Sequence, residues 1–316
     1  VLKVRSIQVT SQVTASGVGE AIPGRFHVDP ILVGRCPGCG ALYPETRLEG
    51  IGEDSVVCAA CGAHAAPYRI SNGYTMAFDS ARGIGVSLDQ QGAERAARNA
   101  AANMAIPDRS VQNPIAAFAP HHLPGMISRM RPFIGQLGTT PASPIPDSYN
   151  AGDFGQYLVD APHDYGMTAE QLEKDRTDGH LDIGRVREGT VLICPVKIPG
   201  GGVYLGDVHA MQGDGEIAGH TTDVSATVVL QVEVIKGLNL DGPIFLPRTE
   251  DLPYLARPIT AQERRAALAL AERWGMTELE ETGPVSFVGT GFTLNAAVDN
   301  GIKRAAEVLD LSVEEV

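Results

Sequence analysis

The stretch Gly206-Asp207-Val208-His209-Ala210-Met211-Gln212-Gly213-Asp214-Gly215-Glu216 decides how the rest of the chain is read. From Asp207 to Glu216, ten residues hold three carboxylates, one imidazole and one carboxamide, spaced by glycines and small side chains. An apolar run, Val203-Tyr204-Leu205, precedes it, and residues 224–235 after it alternate like a strand. A strand end that turns on glycines holds side chains firmly while presenting them to a cleft. A plain hairpin turn needs a single Asp-Gly pair. The added His, Gln and Glu mark this turn as a site.

Outward from that stretch the pattern is mainly β. Residues 190–198 predict a strand, Val191-Leu192-Ile193-Cys194-Pro195-Val196, with Cys194 a buried thiol serving as a small apolar residue. Pro199-Gly200-Gly201-Gly202 predicts a turn that pairs this strand with residues 203–205 as a hairpin, and residues 224–235 then extend the same sheet. Residues 131–142 predict a buried strand ending in the turn Gly138-Thr139-Thr140. Asp178-Gly179-His180-Leu181-Asp182 brings a second imidazole and carboxylate. In an extended segment residues two apart share a face, so His180 and Asp182 would stand side by side as a metal pair or a base and its orienter. Taken alone, that segment reads equally as a turn with solvated charges. Residues 147–171 are polar and irregular, a lid or substrate loop, leading into a short helix with a capping box from Thr168 to Gln171. The adjacent His121-His122 pair reads as solvent-facing.

Toward the N-terminus, residues 1–15 alternate as one or two half-buried strands. The chain enters its first strand at Val1 with no Met, turn or cap, as a fragment or a processed subunit would. Cys36-Pro37-Gly38-Cys39-Gly40 and Cys58-Ala59-Ala60-Cys61-Gly62 form two Cys-x-x-Cys knuckles, with 18 residues between them. Two intervening residues let both thiolates of a knuckle reach one ion, and four thiolates close a tetrahedral shell. The spacing predicts a structural zinc at Cys36, Cys39, Cys58 and Cys61, resembling a zinc ribbon. Two disulfides or a redox pair are the alternatives, and disulfides fit poorly where no secretory signal is seen. Arg47 alone is basic between the knuckles, which favours a stabilising or subunit-contact insert over a nucleic-acid reader.

Residues 90–104 predict an Ala- and Arg-rich helix. Thr260-Ala261-Gln262-Glu263 predicts a capping box opening a helix to Trp274, and residues 295–309 a second helix. Ser286-Phe287-Val288-Gly289-Thr290-Gly291-Phe292 lacks the Lys-Ser/Thr of a phosphate loop.

Composition narrows the function classes. The 316 residues carry a net charge of −13, which disfavours nucleic acid as a partner. No apolar run approaches the roughly 20 residues of a membrane span. With 36 Gly, 21 Pro and 5% aromatics, the chain suits β-structure with long loops. A cytoplasmic enzyme is the expectation, with neither nucleic acid nor membrane as partner.

The segment 206–216 resembles the Gly-Asp-x-His-Ala-x-Gln-Gly-Asp-Gly-Glu signature of the acetamidase/formamidase family. Pro132-Phe133-Ile134-Gly135-Gln136-Leu137-Gly138-Thr139-Thr140-Pro141-Ala142 resembles the family's Pro-Phe-x-Gly-x-x-Gly-x-x-Pro-Ala. Gly189-Thr190-Val191-Leu192, Pro195-Val196 and Pro199-Gly200 resemble the strand before the signature. Two features depart from the pattern: His180 stands where members carry Asn, and the four-cysteine insert is atypical. Both ends read as shorter than a member's.

The resemblance implies a mainly β fold with α/β additions, an acetamidase/formamidase-like β-sandwich carrying a small zinc-ribbon insert and C-terminal helices. The expected division is 1–30 for the first β segment, 31–68 for the insert, 69–245 for the core with the active site, and 246–316 for the C-terminal helical region. It also implies hydrolysis of a small amide to a carboxylate and ammonia or an amine, often with a divalent metal such as zinc. On that footing the expected metal ligands are His180, Asp182 and His209, with Asp214 as an alternative ligand. Glu216 is the expected general base and then acid, Asp207 the residue orienting His209, and Gln212 a donor to the substrate carbonyl. A homo-oligomer, or a second chain supplying the short N-terminal part, is the expected assembly. A lactam, cyclic imide or N-substituted amide would need the same chemistry. A non-catalytic zinc-ribbon subunit binding a protein partner is the rival of another class.

Overall fold

A computed structural model describes residues 1–22, 25–27, 35–42, 44–48, 56–64, 69–105, 123–139, 181–197, 199–216, 222–279, 285–291 and 293–316. His121, His122, His180 and the helix expected at Thr168 lie outside them, as does most of the expected substrate loop. The described chain is mainly antiparallel β with a few helices, as the sequence predicts. It divides into two compact units.

One unit gathers residues 1–5, 189–195 and 230–316. Strand β1 (Leu2–Val9) pairs antiparallel with β10 (Val191–Ile193), Leu2 opposite Leu192. Next in order come β13 (Ile244–Leu246) and β14 (Ser286–Phe287). Leu2, Val4, Leu192 and Phe245 are buried here; each such side chain contributes roughly 1.5–3 kcal/mol. Helix α3 (Ala261–Arg273) opens on the expected capping box: Thr260 Oγ1 accepts from the Glu263 amide, and the Glu263 carboxylate accepts from the Thr260 amide. Helix α4 (Leu294–Leu309) explains the glycines before it. A Cβ at Gly289 would sit 2.0 Å from the Ala297 carbonyl oxygen, and one at Gly291 2.6 Å from the Ala297 nitrogen. Those glycines let the chain lie directly on the helix, a packing role. The buried Arg304 ties the same helix to Asp241 at 2.9 Å and to the Val288 carbonyl.

The other unit holds residues 6–188 and 196–229. Its larger sheet runs β3 (Arg25–His27), β2 (Val13–Ile22), β6 (Arg69–Asp79), β7 (Ile84–Ser87), β8 (Ile127–Arg129), all neighbours antiparallel. Helix α1 (Gln90–Ala97), capped by Asp89, is followed by α2 (Ala100–Met104). The single helix expected over 90–104 is interrupted, and the Asn103 side chain donates to the Ala96 carbonyl at 2.9 Å. Side-chain amides compete with the helical backbone in this way.

The sheet that carries the site differs from expectation. Strand β11 (Val203–His209) does not pair with β10; it pairs antiparallel with β9 (Phe133–Thr139), Leu205 opposite Leu137 and His209 opposite Phe133. Strand β12 (Ala226–Val232) lies beside β1 in the five-stranded sheet, which it shares with β10 as expected but not with β11. The expected hairpin fails for a physical reason. Pro195 and Pro199 offer no amide to a ladder, whereas β9 offers an almost wholly buried strand with Phe133, Ile134 and Leu137 at its core. Burial of that apolar surface outweighs the local turn.

Candidate active site and cysteine cluster

Among the described residues two clusters of metal-type donors emerge, and their construction differs. The first is local. In each knuckle the amide of the following glycine donates back to the first cysteine's carbonyl, Gly40 to Cys36 and Gly62 to Cys58, both at 2.9 Å. The first cysteine's amide in turn donates to the residue beyond that glycine, Cys36 to Ala41 at 2.8 Å and Cys58 to Ala63 at 2.9 Å. The two turns are thus alike, and the second leaves the end of β5 (Val56–Cys58), which pairs antiparallel with β4 (Thr46–Leu48). All four sulfurs lie within 4.8 Å of one another, Cys36 to Cys61 at 3.6 Å and Cys39 to Cys58 at 3.9 Å. Four thiolates at about 2.3 Å from one tetrahedral zinc would stand about 3.8 Å apart, whereas a disulfide would need about 2.05 Å. The cysteines are free thiols in a cluster able to hold one metal ion. The Cys39 amide helps to draw the Cys36 thiol down to about 6, into the thiolate range at neutral pH. At Cys61 the Ala63 amide favours the thiolate, but the neighbouring sulfurs, Cys36 foremost, push it up to about 11. Like-charge crowding of that kind is what a bound cation relieves.

The second cluster is built from distant segments. His209 closes β11, fully buried, with its ring edge-on to Phe133 at 4.8 Å between centroids. Residues 222–224 run antiparallel beside it: the Ala210 amide donates to the Thr222 carbonyl and the Val224 amide to the Val208 carbonyl, each at 2.8 Å. That pairing sets Asp223 opposite His209. Thr14 holds Asp223 from the other side, its hydroxyl donating to the Asp223 carbonyl at 2.6 Å. Nε2 of His209 lies 2.9 Å from Asp207 Oδ1, 3.3 Å from Asp223 Oδ1 and 3.9 Å from Glu216 Oε1. Asp182, Asp207 and His209 form one group of donor atoms within 4.8 Å of one another, and His209, Glu216 and Asp223 form another.

Gln212 determines what Nε2 carries. Its Nε2 amide donates to the Asp182 carbonyl at 2.8 Å, and a carbonyl can only accept. Gln212 Oε1 therefore faces His209 Nδ1 at 2.8 Å, so Nδ1 must hold the proton. In a neutral ring the Nε2 lone pair would then point at the carboxylates of Asp207, Asp223 and Glu216. An array of acceptors is stable only around a cation, either a proton on Nε2 or a metal ion. Without a metal the proton is held strongly. Burial would lower the imidazole, but the Asp207 carboxylate, with Asp223 and the Gln212 carbonyl adding, raises it to about 9. Glu216 moves the same way: burial first, then the charge of Asp182, pushes its carboxyl up to about 7. The donor set of imidazole and carboxylates suits a divalent ion such as zinc.

The residues singled out in the sequence separate here. Asp182, Asp207, His209, Gln212 and Glu216 converge. Asp214 is exposed on the turn and belongs to neither donor group. Asp182 is not in the extended backbone expected of it: its φ is +46, in the left-handed region, as is that of Asp207 at +56. Non-glycine residues take that conformation at a cost and cluster at functional sites. Gln212, expected to reach a substrate carbonyl, is engaged between His209 and Asp182. Asp223 is absent from the sequence reading. Its only signal there is a carboxylate one residue ahead of a strand-like run.

With that geometry in place, comparison with known proteins identifies the chain. The acetamidase/formamidase family model matches residues 3–312. The chain belongs to the acetamidase/formamidase family. A putative formamidase of Schizosaccharomyces pombe is 23% identical over 159 residues, covering 40% of this chain and 38% of that protein. Among solved structures, a predicted acetamidase/formamidase from the thermophile Thermoanaerobacter tengcongensis matches 99% of this chain and 61% of its own, with 16% identity and a TM-score of 0.46. An acetamidase from Yersinia enterocolitica matches 78% of this chain and 48% of its own, with 17% identity and a TM-score of 0.37. The chain thus spans less than two thirds of the length of each of these relatives. Among the described residues, no helix is long and apolar enough to cross a membrane.

Proposed function

We propose that this acetamidase/formamidase-family chain hydrolyses the C–N bond of a small linear amide, releasing a carboxylate and ammonia or an amine, at the cluster around His209. The supporting observation is the convergence of Asp207, Asp223 and Glu216 on His209 Nε2, a pocket of acceptors that calls for a cation. His209, Asp182 and Asp207 would hold a divalent metal, most simply zinc, with Asp223 beside the same imidazole nitrogen. The expected His180 ligand belongs to the same proposal. Such an ion supplies an activated water and polarises a carbonyl.

The chain's own residues do the rest. Gln212 keeps the proton on His209 Nδ1 and the lone pair on Nε2. Glu216, raised to about 7, is poised to take a proton from water and return it to the departing amine at neutral pH. Amide hydrolysis needs both transfers, because an unprotonated amine leaves poorly. The site falls within the proposed core of residues 69–245. The insert at 31–68 would hold a structural zinc at Cys36, Cys39, Cys58 and Cys61, four thiolates that would leave no open position for chemistry. A cytoplasmic setting, where thiols stay reduced, belongs to the same proposal. An assembly of like chains, or with a second chain, belongs to the same proposal.

The test is ammonia release from formamide, acetamide, longer linear amides and lactams, with and without chelator. The reading expects turnover of a linear amide that a chelator abolishes. Turnover of none of them by metal-replete protein would overturn it.

A further inference from the structure

We infer that Gly135 is a positioning residue for the His209 site: the missing side chain at 135 is what allows Asp182 and Asp207 to bring their carboxylates to one point. This inference rests on the proposed metal at that site. Gly135 lies in the buried strand β9. In the β9–β11 ladder Gln136 faces Gly206 and Ile134 faces Val208, so Asp207 sits across from Gly135. A Cβ at 135 would stand 2.7 Å from Asp182 Oδ1, 2.7 Å from Asp207 Oδ2 and 2.8 Å from the Asp207 carbonyl oxygen. Carbon–oxygen contacts that short are not tolerated, so both carboxylates would have to retreat.

The same residue also holds the approaching chain. The Gly135 carbonyl accepts from the Leu181 amide at 2.9 Å and the Asp182 amide at 3.1 Å. That clamp fixes the left-handed turn at Asp182, and Asp207 takes its left-handed turn directly opposite. Two strained carboxylate-bearing residues from separate segments are thus seated on one strand position, with Gln212 fastening the Asp182 carbonyl from above. Strain of this kind persists where the surroundings over-determine it and serves pre-organisation.

Gly206 provides the internal control. A Cβ there meets only Gln136 Oε1, at 3.7 Å, an ordinary contact. The experiment titrates metal-free wild type, Gly135→Ala and Gly206→Ala with Co²⁺, following the thiolate charge-transfer band for the cysteine cluster and the ligand-field bands for the second site, alongside thermal melting. Gly135→Ala is expected to weaken the second site by about 10–100-fold while leaving the thiolate band and its midpoint unchanged. Gly206→Ala should match wild type at both sites. Equal second-site affinity in Gly135→Ala and wild type would overturn the inference. Wild type binding a single Co²⁺, at the thiolates alone, would instead sink the proposed active-site metal. If Gly135→Ala does not fold, the same substitution is made with Asp182→Gly and Asp207→Gly, which remove both carboxylates and suit both left-handed positions. Recovery of folded protein then supports the seat, and continued failure to fold overturns it.

Discussion

The cysteine cluster and the His209 cluster are both able to hold a metal ion, yet they are built on opposite plans. The cysteine cluster repeats one short turn twice, and each turn is closed by hydrogen bonds within six residues. Its donors are identical and its shell is complete. The His209 cluster draws on residues 135, 182, 207–216 and 223, brought together by the β9–β11 ladder and the 222–224 segment. Its donors are mixed, two of them sit in left-handed backbone, and the imidazole proton is assigned by a glutamine. A closed local site stabilises a fold. A site assembled across a sheet, with strain and unequal donors, is built as functional sites are.

The largest expected effect separates chemistry from binding within the second cluster. Glu216→Gln keeps the shape and removes the proton carrier, so amide turnover should fall by about 10²–10⁴-fold while two metals per chain are retained. Full turnover in this variant would remove Glu216 from the mechanism. The next prediction contrasts the two sites directly. Cys58→Ser should release the thiolate-bound metal and lower the melting temperature by roughly 5–10 °C, with kcat per remaining second-site metal unchanged. A proportional loss of kcat would show that the insert takes part in the reaction. Gln212→Met fills similar space without the amide. Second-site affinity should drop by about 10-fold or more, with the thiolate site unaffected.

How much of this was legible in the sequence follows from the same contrast. The cysteine spacing, the capping box at Thr260 and the buried strand expected over 131–142 are local patterns; the first two appear as predicted, and the strand appears as β9 over the shorter span Phe133–Thr139. The signature around His209 was legible as a site because its residues are dense along the chain. Asp223 was not, because its part in the site arises from antiparallel pairing between segments more than ten residues apart in the chain. Nor was Gly135, whose importance lies in what approaches it. The expected β10–β11 hairpin failed for a related reason: proximity along the chain suggested a pairing that the better-buried β9 strand displaced. Gln212 was legible as a site residue, while its task depended on the Asp182 carbonyl thirty residues away.

The last prediction concerns pH in the metal-free protein. His209 is raised in the fold from 6.5 to about 9. A group raised on folding contributes stability that is fully present below its unfolded value and is lost as pH climbs through the folded one. Metal-free protein should therefore lose roughly 3 kcal/mol between about pH 6.5 and pH 9, read as a falling melting temperature. Asp207→Asn should flatten that slope, and a slope unchanged by the substitution would contradict the assigned cause.

The most direct test of the central claim is the metal content of the full chain after saturation with zinc and removal of excess, for wild type and His209→Ala. Two zinc ions per chain in wild type and one in His209→Ala, with the remaining ion released by Cys58→Ser, is the predicted result. One ion per chain in both wild type and His209→Ala would contradict a metal at the carboxylate–imidazole cluster.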